Sequence, residues 1–457
     1  MYRFSAICVI AVVLGALAAG PVSAQGFGVY EQGACMMGRG GAGVADPCPD
    51  GSGIFFNPAG LSVEAKQVTL GGALIGPRGN FADTSGGALN GRVSTLNNHW
   101  YPVPNIYLSM PFAKKYAFGV GVFAPYGLTT DWPENSQGRF LGYKSVVQGV
   151  YIQPTFSAKL SDKISVGIGV DLTYLNVELR QRVDLSTQLL TSTGPTFVAV
   201  GIPANTDFAD VQLKGNALHA GYHLGLLLRA SDRLSFGIRY LSGQKVTISE
   251  GAITTTQIMT GYKLPPSLGG SPVDALLAPQ FASGGKLSNQ SATTAIPLPA
   301  QLVAGMALKA TPAVKLFFDY QYTNWKAFDV LPINGQYLKS SILESYEDVH
   351  GFRAGTEIAL GAKHVLRAGV NLHGPASPDQ TVTPNLPEGS RREFSLGFGS
   401  QFSNRMRIDV GYTYLGQPDR AGRTTAGKDP LKPAVTDNNG TYSFMAHLLG
   451  ASVSLRF

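Results

Sequence analysis

Apolar and polar residues alternate with period two in segment after segment of this chain, and the alternation runs to the last residue, Phe457. Ile408, Val410, Tyr412 and Tyr414 alternate with Arg407, Asp409, Gly411 and Thr413, which predicts a strand with one greasy face and one polar face. The same parity returns where Leu366, Ala368, Val370 and Leu372 oppose Arg367, Gly369 and Asn371. Leu316, Phe318, Tyr320 and Tyr322 likewise oppose Lys315, Asp319, Gln321 and Thr323, and Val453, Leu455 and Phe457 oppose Ser452, Ser454 and Arg456. Tight polar turns read at 113–116, 160–163, 230–233, 310–313, 360–363 and 403–406, and long segments rich in Gly, Pro, Asn and Thr at 78–101, 184–207, 252–294 and 417–440. A single such strand would also suit a soluble sandwich. Short turns on one rim and long loops on the other instead predict an all-β transmembrane antiparallel barrel of about fourteen strands, with both chain ends on the short-turn rim.

The start of the chain changes the picture. Residues 1–24 carry Arg3, an apolar run from Ala6 to Ala19 and a small-residue site, Val22-Ser23-Ala24. The run is shorter than the roughly 20 residues that cross a bilayer, so a cleaved signal peptide is expected and the exported chain should lodge in the bacterial outer membrane. No later stretch is long and apolar enough for a helical span, which leaves strands as the means of crossing. Only 14% of residues are charged, against about 25% in soluble proteins, which suits a wall facing lipid. The formal net charge is +7, or +6 once Arg3 leaves, but the basic residues are scattered singly and no nucleic-acid partner is expected.

Between the signal peptide and the first alternating strand lies 25–63, Gly-rich and without strand period; 64–457 is the expected barrel. Gly38-Arg39-Gly40-Gly41-Ala42-Gly43 matches a dinucleotide fingerprint in form, yet no βαβ unit surrounds it, and glycines that turn tightly in a confined space are the plainer reading. No cofactor is expected. Cys8 leaves with the signal peptide, so Cys35 and Cys48 form an even pair in an oxidising compartment; a disulfide is favoured over two thiols, and no third ligand nearby suggests a metal.

Family resemblance appears in this segment. Gln25-Gly26-Phe27, Glu31-Gln32, Gly38-Arg39-Gly40 and Phe55-Phe56-Asn57-Pro58-Ala59-Gly60-Leu61 resemble the hatch of the FadL family, outer-membrane transporters of long-chain fatty acids and other hydrophobic compounds. Further matches follow at Ala124-Pro125-Tyr126-Gly127-Leu128, Gly138-Arg139-Phe140, Gln153-Pro154-Thr155-Phe156, Leu298-Pro299-Ala300, Tyr322-Thr323-Asn324-Trp325 and Thr383-Pro384-Asn385-Leu386-Pro387. The cysteine pair departs from the best-known members. The resemblance implies a barrel plugged by its N-terminal segment, capture of a greasy ligand by external loops, and sideways release through an opening in the third strand. On that reading Asn57, Pro58, Ala59 and Gly60 of the hatch, with Gly119, Gly121, Pro125 and Gly127 of the third strand, form the gate.

The fifth strand adds an inference from parity alone. Ile164 to Tyr174 alternate with an inward set of Ser165, Gly167, Gly169, Asp171 and Thr173, so Leu175, Val177 and Leu179 are expected to face inward near the outer rim as a greasy surface. A bulge at Glu178 and Arg180 would reverse that parity. Lower down, Lys159, Asp171, Arg239, Lys309, Asp319, Arg353, Glu357, Arg367, Arg407 and Asp409 collect inward with mixed signs, as in a network holding the plug. Arg139 and Lys144 are the basic candidates for a substrate carboxylate. The seven histidines are scattered without a nucleophile motif, so a lipolytic enzyme is disfavoured, and a passive polar porin would need an open lumen. The expected partners are a hydrophobic small molecule and outer-membrane lipid, and the protein is expected to be monomeric.

Overall fold

The computed structural model describes residues 26–84, 91–422 and 438–457, so the expected signal peptide and part of the last long loop lie outside the described residues. Fourteen antiparallel strands close into a barrel. They are β1 Gln67–Asp83, β2 Tyr101–Phe112, β3 Tyr116–Asp131, β4 Lys144–Lys159, β5 Ile164–Val183 and β6 Ala209–Arg229. β7 runs Leu234–Leu241 and resumes as Gln244–Gln257, and β8 runs Gln290–Leu298 and resumes as Gln301–Lys309. β9 Val314–Thr323, β10 Val349–Leu360, β11 His364–His373, β12 Arg391–Gln401, β13 Met406–Gly416 and β14 Gly440–Arg456 complete the wall. The seam is tight: β14 pairs with all 17 residues of β1, from Gln67↔Arg456 to Asp83↔Gly440.

All six expected tight turns lie on one rim. On the other, strands run further than the sequence suggested: β1 continues to Asp83, β7 to Gln257, and β8 begins at Gln290. These Gly-, Asn- and Thr-bearing stretches read as loop because they lack apolar alternation. They are extended because ladder pairs such as Asn80↔Thr95 and Ser291↔Ala252 satisfy their backbone groups.

Period-two patterning sorts the two faces. Leu74, Ile106, Ile168, Leu172, Phe352 and Leu366 are exposed on the outer surface, while Thr69, Gln153, Asp171, Gln321, Arg353 and Arg367 are buried within. Exposed aromatic residues gather towards both rims, with Phe112, Tyr116 and Phe156 near the tight turns and Tyr174, Tyr222 and Tyr320 towards the long loops, as interfacial girdles do.

The lumen is filled by Gly26–Val63, almost wholly buried, as α1 Ala34–Gly38, α2 Gly53–Phe56 and a 3-10 turn Pro58–Val63 joined by irregular chain. Cys35 and Cys48 are joined as a disulfide. The glycines of the dinucleotide-like run serve close packing. Gly40 has φ +65°, and a Cβ there would lie 2.8 Å from the Val370 amide nitrogen on β11, so a side chain would be both strained and obstructed. Gly38 meets Gly397 of β12 backbone to backbone in the same way. Above the barrel, residues 184–208 and 258–289, with α3 Val273–Phe281, bury a separate apolar cluster that includes Leu185, Phe197, Phe208, Val273 and Leu277.

Candidate functional site

The wall has a break between β2 and β3. Their ladder starts at Phe112↔Tyr116 and stops at Ile106↔Val122. β2 continues to Tyr101 against β1, and β3 continues to Asp131 against β4, with a bulge between Phe123 and Tyr126. Pro102 and Pro104 on β2 and Pro125 on β3 fall in these separated stretches, where a residue without an N–H costs no ladder bond. The start of the hatch occupies the vacated edge of β3. Val29 N donates to the Pro125 carbonyl at 2.9 Å, and Gly127 N donates to the Phe27 carbonyl at 2.9 Å. Gln32 adds a side-chain pair, donating to Ala124 O at 2.7 Å and accepting from Ala124 N at 3.2 Å.

A cavity of about 400 Å³ opens at this break. It is lined from both faces of the wall: Val103 and Val147 carry inward parity, whereas Pro104, Gln148 and Val150 carry outward parity. A space bounded by both parities passes through the sheet. Gly28 and Val29 form part of its inner side. A smaller pocket of about 40 Å³ adjoins it, sharing Leu128, Val147 and Leu386 and adding Phe27, Leu179 and Phe328. Phe27 packs edge-on to Trp325, Tyr126 and Phe328, with ring centroids 4.7, 6.2 and 5.8 Å away. Buried apolar side chains continue from there through Leu175, Val177, Val246 and Ile248.

One end of the larger cavity is polar. Glu31 of the hatch, Glu388 and Arg391 after the Thr383–Pro387 stretch, and Glu393 on β12 line it. The Arg391 guanidinium donates to the Gly26 carbonyl at 2.7 Å, and the Glu388 carboxylate accepts from the backbone amides of Gly26, Ala376 and Ser377. Burial, followed by the neighbouring Glu393, pushes the Glu31 carboxyl up to about 7. Burial also raises the Glu388 carboxyl, against the pull of Arg391 and its backbone donors.

Towards the short-turn rim the hatch meets charge. Arg39 pairs with Glu357 on β10 at 2.6 Å; Glu357 also takes Arg367 at 2.9 Å, Arg367 takes Asp409 at 2.8 Å, and Asp409 takes Arg407 at 2.7 Å. Asp319 on β9 accepts from the amides of Gly43 and Val44 at 2.8 and 3.0 Å, and Lys315 reaches Asp46 at 2.7 Å. A polar space of about 580 Å³ opens below this network, lined in part by Arg39, Asp46, Glu64, Lys159 and Lys315.

The expected site residues separate into different places. Pro125 and Gly127 stand at the break. Gly119 and Gly121 lie lower, in the paired part of β3, where side chains would press on Leu61 and Ile54 of the hatch. Asn57 to Gly60, grouped with the gate in the sequence, sit instead against β5 and β6. Asn57 donates to Val44 O at 2.7 Å and to Leu226 O at 3.1 Å, and Pro58 and Ala59 press on Gly167 and Gly225. That element anchors the hatch on the strands next to the break, and Ala59 O also accepts from Ser157 Oγ of β4 at 3.1 Å. β5 pairs with β6 from Ile164↔Leu228 to Val183↔Ala209 without a slip, so Leu175 and Val177 are buried inward and Leu179 reaches the small pocket. Arg139 and Lys144 do not line either pocket: Arg139 pairs with Asp207 at 2.7 Å and stacks on Phe140, and Lys144 lies 3.8 Å from Glu178. Sequence reasoning missed Phe27, Val29, Trp325, Glu388 and Arg391. The cluster Glu388, Arg391, Arg392 and Glu393 at the head of a strand was the available signal.

The chain matches the family model described as Outer membrane protein transport protein (OMPP1/FadL/TodX) over residues 15–457. A long-chain fatty acid transport protein of Escherichia coli is 24% identical over 411 residues, 85% of this chain and 86% of that protein. A FadL homologue of Pseudomonas aeruginosa superposes with a TM-score of 0.77 at 20% identity, covering 95% of this chain and all (100%) of the other. The toluene transporter TodX of Pseudomonas putida gives 0.68 at 17% identity with 95% and 100% coverage, and at such identities the two structures speak for the fold. With a family match running through hatch and wall to the last residue, the chain belongs to the OMPP1/FadL/TodX family of outer-membrane transport proteins.

Proposed function

We propose that this protein takes up hydrophobic compounds, a class to which the fatty acids and toluene of its relatives belong, and releases them sideways into the outer membrane between β2 and β3. The observation that carries the reading is the cavity bounded by both faces of the wall and lined in part on its inner side by Gly28 and Val29. A greasy ligand captured under the long loops moves down the apolar interior past Leu179 and Phe27. It enters the cavity when the Phe27–Val29 segment leaves the edge of β3, a step that breaks two backbone hydrogen bonds worth about 0.5–1.5 kcal/mol each. Transfer into lipid then follows the hydrophobic gradient without an aqueous channel. A polar porin suits the chain poorly because the hatch occupies the lumen, and nothing in the gate calls for a catalytic role.

Uptake of a hydrophobic probe by intact cells tests this reading. Gly127→Phe places a ring in the cavity against Val29, next to which a Cβ at 127 already lies 3.3 Å from Val29 Cγ2. Uptake should fall while heat-modifiable migration on gels stays normal. Uptake at the wild-type rate would send the substrate by another path.

A further inference from the structure

We propose that the cavity between β2 and β3 selects uncharged ligands, carrying at most a hydroxyl-type donor, and rejects a free carboxylate. The inference rests on the uptake reading and names the substrate class that the same site passes. Among the described residues, three acids, Glu31, Glu388 and Glu393, share the polar end of the cavity with a single base, Arg391. That base is half-buried: its guanidinium donates to the Gly26 carbonyl, while its Nε has no hydrogen-bond partner. A guanidinium drawn partly out of water needs a counter-charge, so at least one of the three acids near it stays ionised. Glu388 has the donors for that part, with three backbone amides around its carboxylate. Glu393 accepts from Asn371 Nδ2 at 2.8 Å, and Glu31 from the Tyr30 amide at 3.0 Å.

A ligand carboxylate entering here would be a fourth acid beside three others and the one Arg391 cation in a water-poor space, where like charges repel far more strongly than in water. Ionised, the two remaining acids repel an anion, and the water-poor space strips the anion of its hydration. An alcohol, a phenol or a plain hydrocarbon meets neither penalty, because carboxylate oxygens accept from a hydroxyl and the rest of the lining is largely apolar, including Val103, Ala124, Leu128 and Val147. Among the described residues the small pocket on the entry side contributes Glu344 and no lysine or arginine, and Arg139 and Lys144 face Asp207 and Glu178 instead. A fatty acid would therefore pass this gate as its protonated, neutral form.

The test compares ω-bromododecanol with ω-bromododecanoate on the purified protein at about pH 8.5, where the free acid is ionised. Bromine quenches the buried Trp325 beside Phe27, which reports binding, and uptake of both compounds is followed in cells. The alcohol should bind about tenfold tighter than the carboxylate, a preference of about 1.4 kcal/mol. The Glu31→Gln/Glu393→Gln double variant should shrink that preference by strengthening carboxylate binding. Dodecanoate bound as tightly as the alcohol, or lost selectively in Arg391→Gln, would overturn the charge selection while uptake of either compound left the transport reading standing. Uptake of neither compound would overturn both.

Discussion

Two halves of one hatch are held by different chemistry. Near the short-turn rim, Arg39 is tied through Glu357, Arg367, Asp409 and Arg407 into a chain of buried ion pairs, and Asp319 grips the amides of Gly43 and Val44. At the long-loop end the same segment rests on β3 through two backbone hydrogen bonds, one glutamine side chain and a nest of rings around Phe27. A buried charge deprived of its partner is costly, so the lower half resists any change of register. Backbone hydrogen bonds and apolar contacts can be exchanged one for another, and a greasy ligand can replace the ring contacts it displaces. On the proposed release route, this contrast would let the hatch keep the lumen plugged while its first few residues move.

Breaking the lower half should have the largest effect. Arg39→Met leaves Glu357 and Asp46 O without a hatch partner, and losing one member of a buried pair costs about 3–5 kcal/mol. Ion conductance in planar bilayers should appear, with uptake of the hydrophobic probe retained. Next comes the disulfide. Its sequence separation is 13, and in the chain-entropy model a closed loop of that size stabilises by about 3 kcal/mol, so Cys35→Ser/Cys48→Ser should speed hydrogen exchange across Ala34–Gly38. Overpacking the gate with Gly127→Phe costs about 1–3 kcal/mol, too little to unfold the barrel, and should give the reverse phenotype of Arg39→Met: reduced uptake and no leak.

Smallest is a pH effect confined to the upper half. The Glu31 carboxyl is raised from 4.5 to about 7 in the folded protein, so folding favours its protonated form. Its contribution to seating the N-terminal segment is fully present below pH 4.5 and is lost as pH rises through about 7. Trp325 fluorescence in detergent should follow that loss, and Glu31→Gln should flatten it. A pH response unchanged in Glu31→Gln would assign the titration to another group.

The wall was legible in the sequence because every strand obeys one local rule, inward and outward alternation, and the tight turns punctuate it. Parity alone put Leu175, Val177 and Leu179 inside, and the unbroken β5–β6 register keeps them there. The gate was only half legible. Pro125 and Gly127 announce a disturbed strand and Pro102 and Pro104 mark the facing stretch of β2, but where the β2–β3 ladder stops depends on pairing between the two. Phe27 was legible only as part of the Gln25-Gly26-Phe27 resemblance and Val29 not at all, since both bind β3 through backbone atoms. Asn57-Pro58-Ala59-Gly60 was legible as an element but not as to its place, because hatch contacts join residues far apart in the chain, such as Asn57 and Leu226. Arg139 and Lys144 looked available because their acidic neighbours, Asp207 and Glu178, come from other segments.

On the proposed route the first hatch residues must leave β3 before substrate passes through the wall, so a reversible lock between the two decides the matter. Val29→Cys/Gly127→Cys places two thiols where a Cβ at 127 already touches the Val29 side chain, within reach of a disulfide. Uptake of a hydrophobic probe is measured in the oxidised protein, again after mild reduction, and in the wild type under both treatments. The account predicts that the oxidised variant is blocked, that reduction restores it, and that the wild type is indifferent. Uptake at the wild-type rate by the fully cross-linked protein would contradict it.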